Sequence, residues 1–141
     1  MAEAYSGNHG KLFDADGNWL TNVFQVEVNI DVDIEEIKRA GSRWKGHKVT
    51  GLKGTGSYTS YLLTTNFKDK LLKVTNDTSA PFVTELIVKL ADPEASGAYR
   101  VRVKNVMFDK IPVIKFAVGE VVEEEHSFVF SEVELLDRIV V

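Results

Sequence analysis

The chain has no cysteine. Disulfides, thiolate metal sites and cysteine nucleophiles are therefore excluded, and the composition fits assembly in a reducing compartment. No apolar run approaches the roughly 20 residues that a bilayer requires. Met1 to Asn8 is polar and lacks an apolar h-region, so neither a spanning helix nor a secretory signal is expected. Histidine is scarce. His9, His47 and His126 lie far apart and form no His-x-x-x-His pair, so no metal site or cofactor is expected. There is no internal repeat, low-complexity tract or Pro/Ser-rich linker, and the 141 residues, 1–141, are read as a single domain. A domain of this size buries roughly two thirds of the surface that its unfolded form exposes.

What the chain does have is period-two alternation. From Phe24 to Ile34, the residues Phe24, Val26, Val28, Ile30, Val32 and Ile34 alternate with Gln25, Glu27, Asn29, Asp31 and Asp33. This is the pattern of a strand with one face buried. At roughly 3.3 Å per residue it would run about 36 Å, long enough to suggest a large or shared sheet. Further strands are expected at Lys11–Asp14, Trp19–Val23, Thr55–Leu63, Phe82–Leu90, Tyr99–Phe108, Val113–Val118 and Ser127–Leu135, with hairpin turns at Asp16-Gly17 and Pro93–Gly97. One segment breaks the period. Thr65 to Asn76 has an N-cap threonine and Phe67, Leu71 and Val74 at helical spacing, which predicts a short helix. The stretch from Glu132 to the C-terminus is ambiguous between strand and helical turn. The fold class is mainly antiparallel β.

Between the two patterned strands lies Lys38 to Gly56, with six Lys/Arg, no acid and five of the chain's ten glycines. Loops beyond about 12–15 residues are uncommon in compact domains and usually functional or disordered, so 38–56 is read as a long cationic arm. Its Trp44 is an interface-anchor type. Net charge is nevertheless -4. Acids gather in Glu27, Asp31, Asp33, Glu35 and Glu36, and again from Glu120 to Asp137, including Glu123, Glu124 and Glu125. A cationic arm and acidic strands on different surfaces allow head-to-tail contacts between copies, which generate rings or filaments. Arg100, Arg102 and Lys104 alternate with Tyr99, Val101 and Val103; solvated cross-strand ion pairs and a functional basic face are equally good readings of them.

Signals for catalysis are poor. Gly46 to Gly51 is followed by Leu52 where a phosphate-binding loop needs lysine, and Gly51 to Gly56 precedes a strand rather than opening a helix. Asp14 to Asn18 has calcium-loop residues, but Gln25 stands where the bidentate glutamate belongs, and a hairpin turn is the better reading. Glu123 to Ser127 offers acid–base groups with no accompanying nucleophile motif. The chain is not expected to be an enzyme. Nucleic-acid or polyanion binding is the stronger alternative: Lys38, Arg39, Arg43, Lys45, Lys48 and Lys53 could track phosphates while Trp44, Tyr58 or Tyr61 stack bases. The acidic pI, about 5.4, argues against it.

The run from Gly41 through Ser42, Arg43, Trp44, Lys45, Gly46, His47 and Lys48 to Thr59 resembles the long loop and following strand of tail tube proteins from contractile phage tails and defective, phage-like tail particles. The order of a short N-terminal arm (1–9), a Gly10 to Asp14 hairpin, the long strand, the arm and the 65–76 helix is also similar. So is Glu123 to Phe130, an acidic stretch leading into a Phe-rich strand. The resemblance implies a β-sandwich or barrel-like domain with one flanking helix and a long extended loop, six copies closing into a homo-hexameric ring, and rings stacking into a tube. It makes Arg39, Arg43, Trp44, Lys45, His47, Lys48 and Lys53 candidate inter-subunit contacts. Glu27, Asp31, Asp33, Glu123, Glu124 and Glu125 become candidates for an acidic lumen lining. Implied partners are further copies, a tail sheath and baseplate or tail-end proteins, with DNA only as passing cargo and no membrane insertion. The implied location is the virion tail or particle, after assembly in the bacterial cytoplasm.

Overall fold

The computed structural model describes residues 7, 10–62, 66–76, 78, 82–91 and 97–138. The expected N-terminal arm, apart from Gly7, lies outside these residues. So do the Thr65 N-cap, the Phe67 and Val74 side chains, most of the Pro93–Gly97 turn and the last three residues.

Among the described residues, seven strands form one curled antiparallel sheet: β1 (Gly10–Phe13), β2 (Val23–Ile37), β3 (Gly46–Tyr61), β4 (Thr84–Leu90), β5 (Tyr99–Lys110), β6 (Glu123–Phe130) and β7 (Glu132–Asp137). The order is β1-β4-β5-β6-β3-β2, with β7 also paired to β5. Helix α1 (Asn66–Leu71) continues into a 3-10 turn, Leu72–Thr75. The curl originates in β5. Its first half pairs with β7 up to Lys104↔Glu132 and with β4 up to Thr84↔Val106 across a register shift, while its second half pairs with β6 from Met107↔Val129. Between the halves, Asn105 takes φ 57, the left-handed conformation that asparagine tolerates better than most residues. An irregularity of this kind bends a strand and raises its twist. The concave side carries the core: Leu12, Tyr58, Leu86, Val103, Val106, Phe128 and Phe130. Each fully buried Val, Leu or Phe contributes roughly 1.5–3 kcal/mol of transfer free energy.

Two strand expectations fail. Trp19–Val23 is a turn region with a single bridge, Phe13↔Trp19. Its register is set by Asp14, whose Oδ1 accepts from the Asp16 and Asn18 backbone N–H groups at 3.0 and 2.8 Å, with Gly17 at φ 85. Val113–Val118 alternates like a strand but pairs with no strand among the described residues. The C-terminal stretch resolves as β7, separated from β6 by Ser131.

The third difference concerns the glycines of 38–56. Only 38–45 is loop; from Gly46 onward the chain is strand β3, hydrogen-bonded to β2 throughout. Gly54 and Gly56 lie opposite Phe130 and Phe128 of β6, and a Cβ on either would come within 2.4 Å of the facing ring. These glycines let two aromatic rings lie flat on the backbone, a close-approach role within a strand. We therefore expect Gly56→Val to cost about 1–3 kcal/mol by overpacking. Gly51→Ala, which meets only the end of the Asp33 side chain at 3.2 Å, should stay within about 0.5 kcal/mol. Urea unfolding of the two variants measures this, and equal losses would contradict the packing role.

Candidate assembly surfaces

The β2–β3 pairing outruns the rest of the sheet. It extends to Ile37↔Gly46, whereas β6 stops covering β3 at Gly54↔Phe130. Beyond that point the two strands project as a bare ribbon, and an isolated two-stranded hairpin is marginally stable in water. Alternation sorts its residues. Ile30, Val32, Ile34, Val49 and Leu52 form an apolar set that is exposed throughout, with Leu52 70% exposed. Soluble monomers rarely leave such contiguous patches uncovered. On the other face the register sets Asp31 opposite Lys53 and Glu35 opposite Lys48, while Glu36 opposite His47 ends the apolar row near the tip. Lys45 also reaches Glu36 at 3.3 Å. Part of the basic charge expected to seek an outside partner is thus answered within the ribbon.

At the tip, Gly41 takes φ 74 and the Trp44 N–H donates to Ser42 Oγ at 3.1 Å. This turn holds Trp44 81% exposed, beside Lys38, Arg39 and Arg43, for which no carboxylate lies within ion-pair distance among the described residues. Of the candidate contact residues, Arg39, Arg43, Trp44 and Lys45 share the tip. His47, Lys48 and Lys53 are strung along β3.

The acidic candidates separate by face. Glu27 lies opposite Ser57 and Ser127, and Gln25 opposite Thr59 and Glu125. Glu27, Asp31, Asp33, Glu123 and Glu125 therefore share the convex face of β2-β3-β6 with Thr55, Ser57, Thr59 and Ser127. Glu124 does not. It points to the core side with His126, Phe128 and Phe130 and is 4% exposed, so it cannot belong to an exposed acidic lining. Its carboxylate accepts from the Lys68 ammonium of α1, which also donates to the Val113 carbonyl at 3.5 Å. Strand alternation in Glu123 to Phe130 carried this signal, and the run of three glutamates obscured it.

Around the pair, His126 stacks on Tyr58 with centroids 4.7 Å apart. Burial, reinforced by the Glu124 charge, holds the Tyr58 hydroxyl protonated far above its ordinary range. Burial pushes the His126 imidazole down to about 4. The residues enclose a cavity of about 60 Å³, space for water rather than substrate. On β5, the cations are answered across strands: Arg100 by Asp137 at 3.0 Å, Arg102 by Glu134 at 3.6 Å and Lys104 by Glu134 at 3.1 Å. Glu134, and then Glu132, raise the Lys104 pKa. These are the solvated cross-strand pairs of one alternative, each worth about 0.2–1 kcal/mol.

A sequence profile described as Phage tail tube protein matches residues 1–137. The chain belongs to the phage tail tube family. Phage-like element PBSX protein XkdM of Bacillus subtilis (strain 168) is 30% identical over 135 residues, covering 95% of this chain and 91% of that protein. Two solved structures share the tail tube fold at low identity. One is from the sheath–tube complex of an extracellular contractile injection system, PVC, in its extended state, with TM-score 0.70, 10% identity and coverage of 99% and 93%. The other is from the sixfold-symmetrised baseplate of the anti-feeding prophage, with TM-score 0.71, 7% identity and coverage of 96% and 97%. The curled antiparallel sheet is thus the fold that the resemblance implied.

Two outcomes are expected for the buried cluster of this tail tube protein. Glu124→Ala, which strands the Lys68 charge, should cost about 3–5 kcal/mol, against about 0.5 kcal/mol or less for Glu125→Ala, by denaturant unfolding. Because the folded His126 value of about 4 lies below the ordinary 6.5, its contribution to stability is complete above pH 6.5 and is lost as pH falls through about 4. His126→Phe should therefore lose less thermal stability than wild type between pH 7 and pH 4. Parallel melting curves would contradict this.

Proposed function

We propose that this tail tube protein is the structural subunit of the inner tube of a contractile phage tail or phage-like particle, six copies closing into a ring and rings stacking end to end. The observation that carries the reading is the ribbon Ile30–Ile37 with Gly46–Lys53: two strands paired to each other, with their outer backbone edges and their apolar face left bare. Such an element is completed by another copy. Membership in the tail tube family supports the reading, as does the likeness to subunits in a sheath–tube complex and a sixfold baseplate. The sheath and baseplate are the proposed external partners, the particle tail the proposed location, and the host cytoplasm the proposed place of assembly.

The convex face of β2-β3-β6 supplies the lumen. Its lysines, Lys53 and Lys48, stand opposite Asp31 and Glu35, so the face offers DNA phosphates few bases that are not already answered by acids, and phosphate affinity depends on neutralising bases. The tube would then pass DNA without holding it, or puncture an envelope when no genome is attached. The role is mechanical rather than catalytic.

Negative-stain electron microscopy over a concentration series, with light scattering for mass, tests the assembly. Sixfold rings or hollow tubes are expected. Monomers that bind DNA in a salt-sensitive manner through the basic tip would favour the polyanion-binding alternative. Trp44→Ala with Lys45→Glu should reduce stacking while leaving circular dichroism unchanged, because the tip touches no core residue. Substituting Glu27, Asp31 and Asp33 with Lys should slow DNA ejection from an intact particle; unchanged ejection would remove the lining role.

A further inference from the structure

The connection between β5 and β6 ends in an apolar knob. Glu120 N–H donates to the Ala117 carbonyl at 3.2 Å with Gly119 at φ 85, closing a turn that has Val118 at its apex, 95% exposed. Ile114, Phe116 and Val121 beside it are also largely exposed. Turn apices are ordinarily Gly, Asn, Asp, Ser or Pro, so Val118 and Phe116 have no purpose in a single chain. The knob is held at both ends: the Lys68 ammonium donates to the Val113 carbonyl at 3.5 Å, and Leu62 N–H to the Val122 carbonyl at 3.1 Å.

A hole of matching chemistry lies elsewhere on the same chain. The concave side of the curled sheet is left open between β2 and the β4-β5-β7 side, as a groove of about 630 Å³ lined by residues including Val28, Ile30, Leu90, Tyr99, Val101 and Leu135. Its adjoining hollow, which shares Val26, Val88 and Leu90, is lined also by Lys11 and Lys89. Glu120 and Glu123 flank the knob, which also carries Lys115, so the acids at its edge complement the lysines of the hollow. The knob residues are exposed, and in the groove Ile30, Tyr99 and Leu135 are exposed while Val28, Leu90 and Val101 are half-buried.

We propose that the Val113–Val121 turn of one copy docks in the β2/β5/β7 groove of the next, making the contact that closes the ring. The inference rests on the tube reading and adds the pair of surfaces. Because knob and hole are different patches, the contact is heterologous and repeats around an axis. The ribbon tip is left free to meet an adjacent ring.

The absence of cysteine makes the test direct. Val118→Cys protein mixed with Leu135→Cys protein, then mildly oxidised, should give a disulfide-linked dimer about tenfold stronger than either variant alone or than Val118→Cys with the exposed control Thr78→Cys, since docking raises the local thiol concentration. Phe116→Asp with Val118→Asp should abolish rings in sedimentation while circular dichroism stays that of the folded chain. Rings or tubes that form without the 118–135 cross-link, or in the double Asp variant, would overturn the docking and leave the tube reading standing. A Val118→Cys cross-link to Leu52→Cys instead would overturn it by seating the turn on the ribbon. Wild-type chain that never leaves the monomer peak, together with a Val118→Cys and Leu135→Cys mixture that gives no cross-link, would remove both.

Discussion

A β-ribbon needs something to bury its apolar face against, and the β2–β3 ribbon leaves its own sheet before it finds anything. The backbone hydrogen bonds run to Ile37↔Gly46, but β6 ends its cover at Gly54. Ile30, Val32, Ile34, Val49 and Leu52 are left in water. At about 25 cal/mol per Å² of apolar surface, covering them is a strong driving force for association. The cross-strand charges Asp31 with Lys53 and Glu35 with Lys48 keep the opposite side soluble and in register. The ribbon is stable enough to be presented and incomplete enough to need a partner.

The body of the domain anchors the base of that ribbon. Phe128 and Phe130 lie over Gly56 and Gly54, locking β3 to β6 where the ribbon begins. At the other end of β6, the Lys68–Glu124 pair ties the helix and the Val113 backbone to the sheet. A buried ion pair gives little net stability compared with apolar packing of the same volume. Its effect is positional: Lys68 has one buried carboxylate to reach, so α1 and the 111–122 connection have one place to sit. The ladder from Arg100 to Lys104 on the outer side of β5 is compensated by Asp137 and Glu134, as Lys53 and Lys48 are set opposite Asp31 and Glu35 on the acid-and-hydroxyl face of β2-β3-β6.

Much of the fold is legible in the chain because alternation is local. The Phe24–Ile34 pattern gave β2, the Asp16-Gly17 turn lies where its residues place it, and α1 with its 3-10 turn, Asn66 to Thr75, falls inside the expected 65–76 helix. What was not legible depends on residues distant in sequence. Glycines at 46, 51, 54 and 56 read as a loop because glycine usually marks flexibility; only the Phe rings of β6, more than 70 residues away, give Gly54 and Gly56 their packing role. Val113–Val118 alternates as well as any strand, but alternation supplies a face and not a neighbour. Glu124 was misassigned for the opposite reason. Its burial followed from the period-two frame of His126, Phe128 and Phe130, and the run of glutamates drew attention to charge instead. The tip, by contrast, announced itself through Trp44 among bases.

Hydrogen–deuterium exchange of the ribbon amides, followed by mass spectrometry across the concentration range of assembly, tests most directly whether this element is finished by another copy. Peptides covering 30–37 and 46–53 should exchange fast in the dilute chain and become strongly protected on assembly, while the Phe128–Phe130 region is protected in both states. Ribbon protection that is already high in the monomer, or that stays low once particles have formed, would contradict the claim that intermolecular completion of β2–β3 drives assembly.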